Sequence, residues 1–259
     1  MDGCVWHSIR IFIFYILKEM IKLKYMGSKR RIAKEIIPIM LKDYKKGQTF
    51  YDLFAGGFNL VDKIPQDIPK VANDINKYLI ALFRELQKDE FKFPEHIGEE
   101  KYKHIQKNKE IYPDWLVGYV GFNLSFAAKF FGGYRRDKAG IRNYENEAQQ
   151  NLKAQQNLIK NIEIYNLSYN EVPLMPNSII YCDIPYKNTT KYSNSDKKFD
   201  YDEFYNWCIE KHKEGHTIFI SEYYMPEDKF KCIWKKEINS SLTKDTGAKK
   251  GVERLFVPL

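Results

Sequence analysis

The run Asn177-Ser178-Ile179-Ile180-Tyr181-Cys182 is filled with β-branched and aromatic residues and bounded by Pro176 and Pro185. It predicts a buried β-strand. An acid, Asp183, stands at its carboxyl end, where open α/β sheets hold their ligands. Ile184, Pro185 and Tyr186 follow. A carboxylate, a rigid backbone carbonyl and a flat ring are the groups that grip a planar amine. The same residues are also compatible with a strand ended by an Asx-Pro turn and a packed tyrosine.

Strands and helices alternate on both sides of this run. A basic loop, Lys24-Tyr25-Met26-Gly27-Ser28-Lys29-Arg30-Arg31, precedes a helical pattern over 32–41, interrupted by Pro38 and open to capping by Ser28. Residues 49–54 read as the first strand. Ala55-Gly56-Gly57-Phe58-Asn59 and a short apolar helix follow. Glycines there let a ligand approach the backbone, and a following helix offers free amide groups; a tight turn has the same composition. The second strand, Lys70-Val71-Ala72-Asn73-Asp74-Ile75, ends on an acid about 20 residues past the first strand, the spacing of a ribose-binding carboxylate. A helix over 76–87 carries Leu79, Leu82, Phe83 and Leu86 on one face. The alternation resumes with a strand over 161–166, ended by Ser168-Tyr169. After Asp183 come a polar loop over 187–198, a helix over 201–213 capped by Asp200 and ended by Gly215, and a strand over 217–221. Two strands, 231–238 and 252–259, joined by a basic loop over 243–251, close the chain. The expected fold is α/β: a mostly parallel sheet of about seven strands with a carboxyl-terminal antiparallel pair.

Between 88 and 160 the alternation stops. A long aromatic-apolar helix is expected over 113–131 and a polar helix over 144–160. Between them, Phe131-Gly132-Gly133-Tyr134-Arg135-Arg136 forms a glycine loop ending in cations, with five basic residues and one acid between Lys129 and Arg142. The segment reads as an inserted helical subdomain whose loop (Lys129, Tyr134, Arg135, Arg136, Arg142) touches DNA; a solvated charge run on a helical lid fits the same residues. The net charge of +8, with 19 Tyr and 17 Phe, suits cations meeting phosphates and rings stacking on bases. It also suits a basic protein whose lysines only keep it in solution. The four cysteines (4, 182, 208, 232) lack Cys-x-x-Cys spacing and the five histidines form no metal set, in keeping with a reducing cytoplasm. The apolar residues 9–17 are too few to span a bilayer, and no small-residue cleavage site follows. Residues 1–19 are expected to be an extension outside the fold, 20–87 and 161–259 one domain, and 88–160 the insertion.

Together these motifs resemble the Dam-type adenine-specific DNA methyltransferases, notably phage-borne members, over nearly all of 23–259. Tyr25-Met26-Gly27-Ser28-Lys29 is similar to the opening Trp/Tyr-x-Gly-x-Lys motif, and Asp52-Leu53-Phe54-Ala55-Gly56-Gly57 to the Phe-x-Gly-Gly cofactor loop. Asn73-Asp74-Ile75-Asn76 is similar to the ribose-binding motif, and Gly121-Phe122-Asn123 through Tyr134 to a stretch of the phage members. Asp183-Ile184-Pro185-Tyr186 is similar to the catalytic Asp-Pro-Pro-Tyr, and Glu253-Arg254-Leu255-Phe256-Val257 to the usual carboxyl end.

The resemblance implies a Rossmann-like S-adenosylmethionine-dependent methyltransferase fold. It implies S-adenosylmethionine as methyl donor and N6 of a flipped adenine in double-stranded DNA as acceptor, with neither metal nor covalent intermediate needed. It implies a monomer without obligate protein partner or membrane association. Asp183, Ile184, Pro185 and Tyr186 would then be catalytic. Tyr25, Gly27, Lys29, Phe54, Ala55, Gly56, Gly57, Asp74, Ser168, Tyr169 and Asp183 would surround the cofactor. Two departures stand out. Ile184 replaces the first proline, which costs loop rigidity, and Ser168 stands where the family has an acid. A catalytically lapsed DNA-binding member, a methyltransferase of RNA or another substrate, and a nicotinamide-dependent oxidoreductase are the rival readings. Against the last, a full Gly-x-Gly-x-x-Gly is missing.

Overall fold

The computed structural model describes residues 28–137, 139–187, 199–239 and 250–259. The expectations for residues 1–19, Tyr25 and Gly27, and for most of the 187–198 and 243–251 loops, lie outside them. By compactness the chain divides into a unit of residues 29–76 and 161–259 and a unit built on 77–160.

The strands are β1 (Phe50–Asp52), β2 (Lys70–Asn73), β3 (Ile162–Tyr165), β4 (Ile179–Asp183), β5 (Thr217–Glu222), β6 (Phe230–Asn239) and β7 (Lys250–Pro258). Among the described residues the α-helices are α1 (Arg30–Met40), α2 (Lys77–Leu86), α3 (Glu99–Lys107), α4 (Asp114–Gly118), α5 (Tyr144–Ile159) and α6 (Tyr201–Lys213). None of them is long and apolar enough to cross a membrane.

All seven strands lie in one sheet, in the order β3-β2-β1-β4-β5-β7-β6. Strands β3, β2, β1, β4 and β5 are parallel, and β7 runs antiparallel between β5 and β6. The period of two along β4 explains the unbroken apolar run. Ile179 and Tyr181 share a core with Ile32, Ile36 and Met40 of α1, whereas Ile180 and Cys182 share the other core with Phe204 and Cys208 of α6. Both faces are covered, so neither set of positions has to be polar. Asp200 caps α6, accepting from the amides of Asp202 and Glu203, and Gly215 ends it with φ of 98°.

Three local expectations change. The glycine loop leads into one 3₁₀ turn, Val61–Lys63, not a helix; Ile64 is already extended, as the residue before Pro65 prefers. Helix α1 runs through Pro38 to Met40, because Ile36, Ile37 and Met40 are all buried. Its N-cap position is held by Lys29, not Ser28, with no side-chain cap bond from Lys29.

In the unit built on 77–160, the long helix expected over 113–131 is absent. Helix α4 has five residues, a π turn follows over Tyr119–Asn123, and the chain then folds back through a bridge between Ser125 and Tyr134. Aromatic packing overrides the helical period here. Phe131 N donates to Gly121 O at 2.9 Å, and the Phe130 ring lies 4.7 Å from Phe122 and 5.4 Å from Tyr78. A Cβ on Gly121 would come within 2.4 Å of Phe130, and one on Gly118 within 2.2 Å of the Tyr78 carbonyl. The return holds Ala127, Ala128 and Phe131 at positive φ (54°, 54° and 48°), a strain that surrounding packing must support. Helix α2 also groups with this unit, so compactness divides the chain at Lys77.

Candidate active site

The parallel strand ends of the sheet unit present two adjoining sets of residues. The first surrounds the glycine loop. Gly56 has φ of 48°, and its amide donates to Asp74 Oδ2 at 2.8 Å; Asp74 Oδ1 accepts from Asn76 N at 2.8 Å. Carboxylate and loop therefore hold each other, and each oxygen keeps a lone pair for a ligand hydroxyl. Asn73, which carries little signal of its own in the sequence, ties three strand ends together. Its amide nitrogen donates to the Leu53 and Leu167 carbonyls at 3.1 Å, and its oxygen accepts from Leu167 N at 3.0 Å.

Phe54 and Tyr169 stack at 5.6 Å. Ser168 and Glu171 form a capping box on the 3₁₀ turn Tyr169–Glu171. Ala55 and Gly57 are buried beside them. Asp52, also buried, has an Oδ1 with no partner among the described residues, as has Asn59 Nδ2. Burial, then the neighbouring Asp183 and Asp74, holds the Asp52 carboxyl well above the usual range.

The second set lies around the end of β4. Lys29, expected beside the pocket, is only 8% exposed. Its Nζ stands 3.0 Å from Asp183 Oδ1, 3.7 Å from Glu253 Oε2 and 4.5 Å from the Tyr186 ring centroid. Tyr186 donates its hydroxyl to Glu253 Oε2 at 2.7 Å and meets Tyr223 edge-on at 4.4 Å. The Pro185 carbonyl accepts from Tyr201 Oη at 2.9 Å. Ile184 is 2% exposed within the α6-side core. Its side chain thus supplies by burial part of the rigidity that a proline would supply covalently.

Burial raises the Asp183 carboxyl to about 6, while Lys29 pulls it down. Glu222, at the end of β5, accepts from Lys187 N at 3.0 Å and Tyr223 N at 2.6 Å, and burial raises it to about 7. Glu222 and Glu253 join the strand-end group without a signal in the sequence beyond Glu253's place in the carboxyl-end motif.

The basic residues of the helical unit form a different environment. Arg136 is bidentate on Glu99, with Nε at 2.7 Å from Oε2. Arg142 pairs with Glu147 at 2.7 Å. Arg135 lies over the Tyr144 ring at 3.6 Å and 3.9 Å from Glu147. Tyr134 donates to the Ile97 carbonyl at 3.1 Å, and Lys129 is exposed. Arg135 and Arg136 line two open cavities of about 280 and 450 Å³, and Arg142 lines the second. Glutamates matched to the arginines are the feature that composition alone hides.

Among curated proteins, the chain is 31% identical over 90 residues to the Type II methyltransferase M.FokI of Planomicrobium okeanokoites. That match spans 35% of this chain and 12% of the relative. Among solved structures, the tRNA (m1A58) methyltransferase TrmI of Aquifex aeolicus aligns at a TM-score of 0.35 and 10% identity, over 87% of this chain and 68% of that one. The family model for D12 class N6 adenine-specific DNA methyltransferases matches residues 25–244. Its span takes in the glycine loop, Asp74 and the Asp183-Ile184-Pro185-Tyr186 strand end, on the seven-stranded sheet; the chain belongs to the D12 class N6 adenine-specific DNA methyltransferase family.

Proposed function

We propose that this protein transfers a methyl group from S-adenosylmethionine to N6 of an adenine flipped out of double-stranded DNA. The observation that carries the reading is the Lys29 ammonium 3.0 Å from Asp183 Oδ1, beside the Tyr186 ring. The end of β4 already holds an N–H donor against this carboxylate.

The residues around the glycine loop fit the donor molecule. Asp74 has lone pairs for ribose hydroxyls, the buried Asp52 Oδ1 without a partner suits an ammonium, and Phe54 and Tyr169 offer aromatic faces. When bound, S-adenosylmethionine supplies an electrophilic methyl group on a sulfonium. The protein's own part is orientation and charge placement. The adenine amino group is a poor nucleophile because its lone pair is delocalised into the ring. Asp183 and the Ile184 carbonyl each accept an N–H from it, drawing the nitrogen toward tetrahedral geometry and freeing the lone pair. Tyr186 stacks on the base. Reaching N6 in such a pocket requires the base to leave the helix. Lys129, Tyr134, Arg135, Arg136 and Arg142 hold the DNA backbone, the glutamate partners of the three arginines yielding to phosphates.

The test is incubation with S-adenosylmethionine and, in separate reactions, unmethylated genomic DNA or RNA, followed by digestion and mass analysis of the nucleosides, with DNA and cofactor binding measured alongside. N6-methyladenine is the expected product. Methylated RNA instead moves the substrate, and no methylated base despite intact DNA and cofactor binding marks a lapsed enzyme.

A further inference from the structure

Asn123 closes the π turn that follows α4, a geometry frequent at functional sites. The residue is 8% exposed, and its Nδ2 has no hydrogen-bond partner among the described residues. A buried N–H donor left unpaired is costly, so it marks a place for an acceptor on a ligand. Asn123 lines the smaller cavity of the helical unit, about 280 Å³. Phe126, Ala127 and Ala128 give that cavity an apolar wall. Phe126 is 69% exposed, and both alanines are held at φ of 54°, the kind of strain found where a site needs a set shape. The backbone around them is fixed: Phe126 N donates to Gly133 O at 2.8 Å and Arg135 N to Leu124 O at 2.9 Å. The other polar groups here are engaged. Ser125 Oγ shares a hydrogen bond with Tyr102 Oη at 2.7 Å, Arg136 is bidentate on Glu99, and Arg135 lies over Tyr144.

We propose that this cavity reads a thymine of the DNA target: Asn123 Nδ2 donates to its O4, while Phe126, Ala127 and Ala128 receive its 5-methyl group. The proposal rests on the reading of this protein as one that acts on duplex DNA, and adds a base to what it recognises. A neutral donor beside an apolar wall selects among the bases. In the major groove, thymine alone sets a carbonyl acceptor next to a methyl group. Cytosine puts an amino donor there, facing another donor. Guanine and adenine offer acceptors but no methyl group for the alanines and the phenyl ring. A phosphate would need a charge at the buried position, and the charges of this cavity lie on its arginines.

The test starts from randomised DNA duplexes: those retained by the wild-type protein are sequenced to find the positions that require thymine. At each, thymine is replaced by uracil, which lacks the methyl group, or by 5-methylcytosine, which keeps the methyl group but turns the acceptor into a donor. At one position each change should weaken wild-type binding by about tenfold. Phe126→Ala should remove most of the uracil penalty, and Asn123→Ala most of the 5-methylcytosine penalty. Cofactor affinity and the salt slope of DNA binding should stay as in wild type, because no phosphate contact is lost. Phe126 is exposed, so its variant decides the matter even if Asn123→Ala fails to fold. No required thymine, or penalties unchanged in the folded variants, would overturn the proposal. Retention of no duplex would overturn it together with the DNA reading. A thymine requirement in a protein that methylates nothing would sink the methyltransferase reading alone, since the selection needs binding and not methyl transfer.

Discussion

The two units use charge in opposite ways. At the strand ends, Lys29, Asp183 and Glu253 are packed into a largely buried cluster, one ammonium between two carboxylates. In the helical unit, Arg136 and Arg142 are 64% and 52% exposed on their side chains, each on its own glutamate. Removing one partner of a buried pair leaves a charge that the interior cannot solvate. Exposed pairs are screened and stabilise little. The buried cluster is therefore suited to holding one geometry and tuning a proton, and the exposed pairs to exchanging partners with an incoming polyanion.

The largest expected effect lies in the buried cluster. Asp183→Ala should reduce methyl transfer by about 10³-fold or more while cofactor affinity, followed by calorimetry, stays close to wild type. Near-normal turnover would remove Asp183 from the mechanism. In the wild-type protein the rate should fall as pH drops through about 6, because protonated Asp183 no longer offers a carboxylate to the amine. Next is Asp74→Asn, which should weaken S-adenosylmethionine binding by about tenfold or more and leave DNA affinity unaltered. Equal cofactor affinity would move the ribose site elsewhere.

A smaller effect is expected in the helical unit. Arg135→Ala with Arg136→Ala should lower the slope of DNA affinity against salt by about 2, as loss of two phosphate contacts would. Glu99→Gln, which frees Arg136, should instead raise DNA affinity modestly. If the slope is unchanged and only the melting temperature falls, the arginines serve the fold and the contrast between the units disappears.

The smallest effect concerns Glu222. Its carboxyl is raised in the folded state, so its contribution to stability is fully present below the unfolded value and is lost as pH rises through about 7. The melting temperature of Glu222→Gln relative to wild type should therefore increase from pH 5 to pH 8. A difference independent of pH would place Glu222 in solvent.

The alternation of strands and helices, the buried β4 and the acid at its end were all legible along the chain. They depend on local signals: period-two burial, proline bounds, a glycine turn, an Asp cap. Asp74 was legible for the same reason, as an acid at a set distance from the first strand. The 113–131 segment was not, because its apolar residues satisfy a helical period equally well. Only the folding of Phe130 and Phe131 back onto Gly121 ends that helix. The family resemblance placed Lys29 beside the cofactor, but not its carboxylate partners, and Arg136 could not be told from a free cation. Lys29 comes from the start of α1, Asp183 from β4 and Glu253 from β7, and Glu99 lies far from Arg136 in sequence. The sequence by itself determined that Asp74 and Asp183 stand at strand ends, because strand and turn signals act between near neighbours. Only the tertiary structure decided which charges share a partner and which are buried. Both depend on desolvation and on distances between residues that the chain holds far apart.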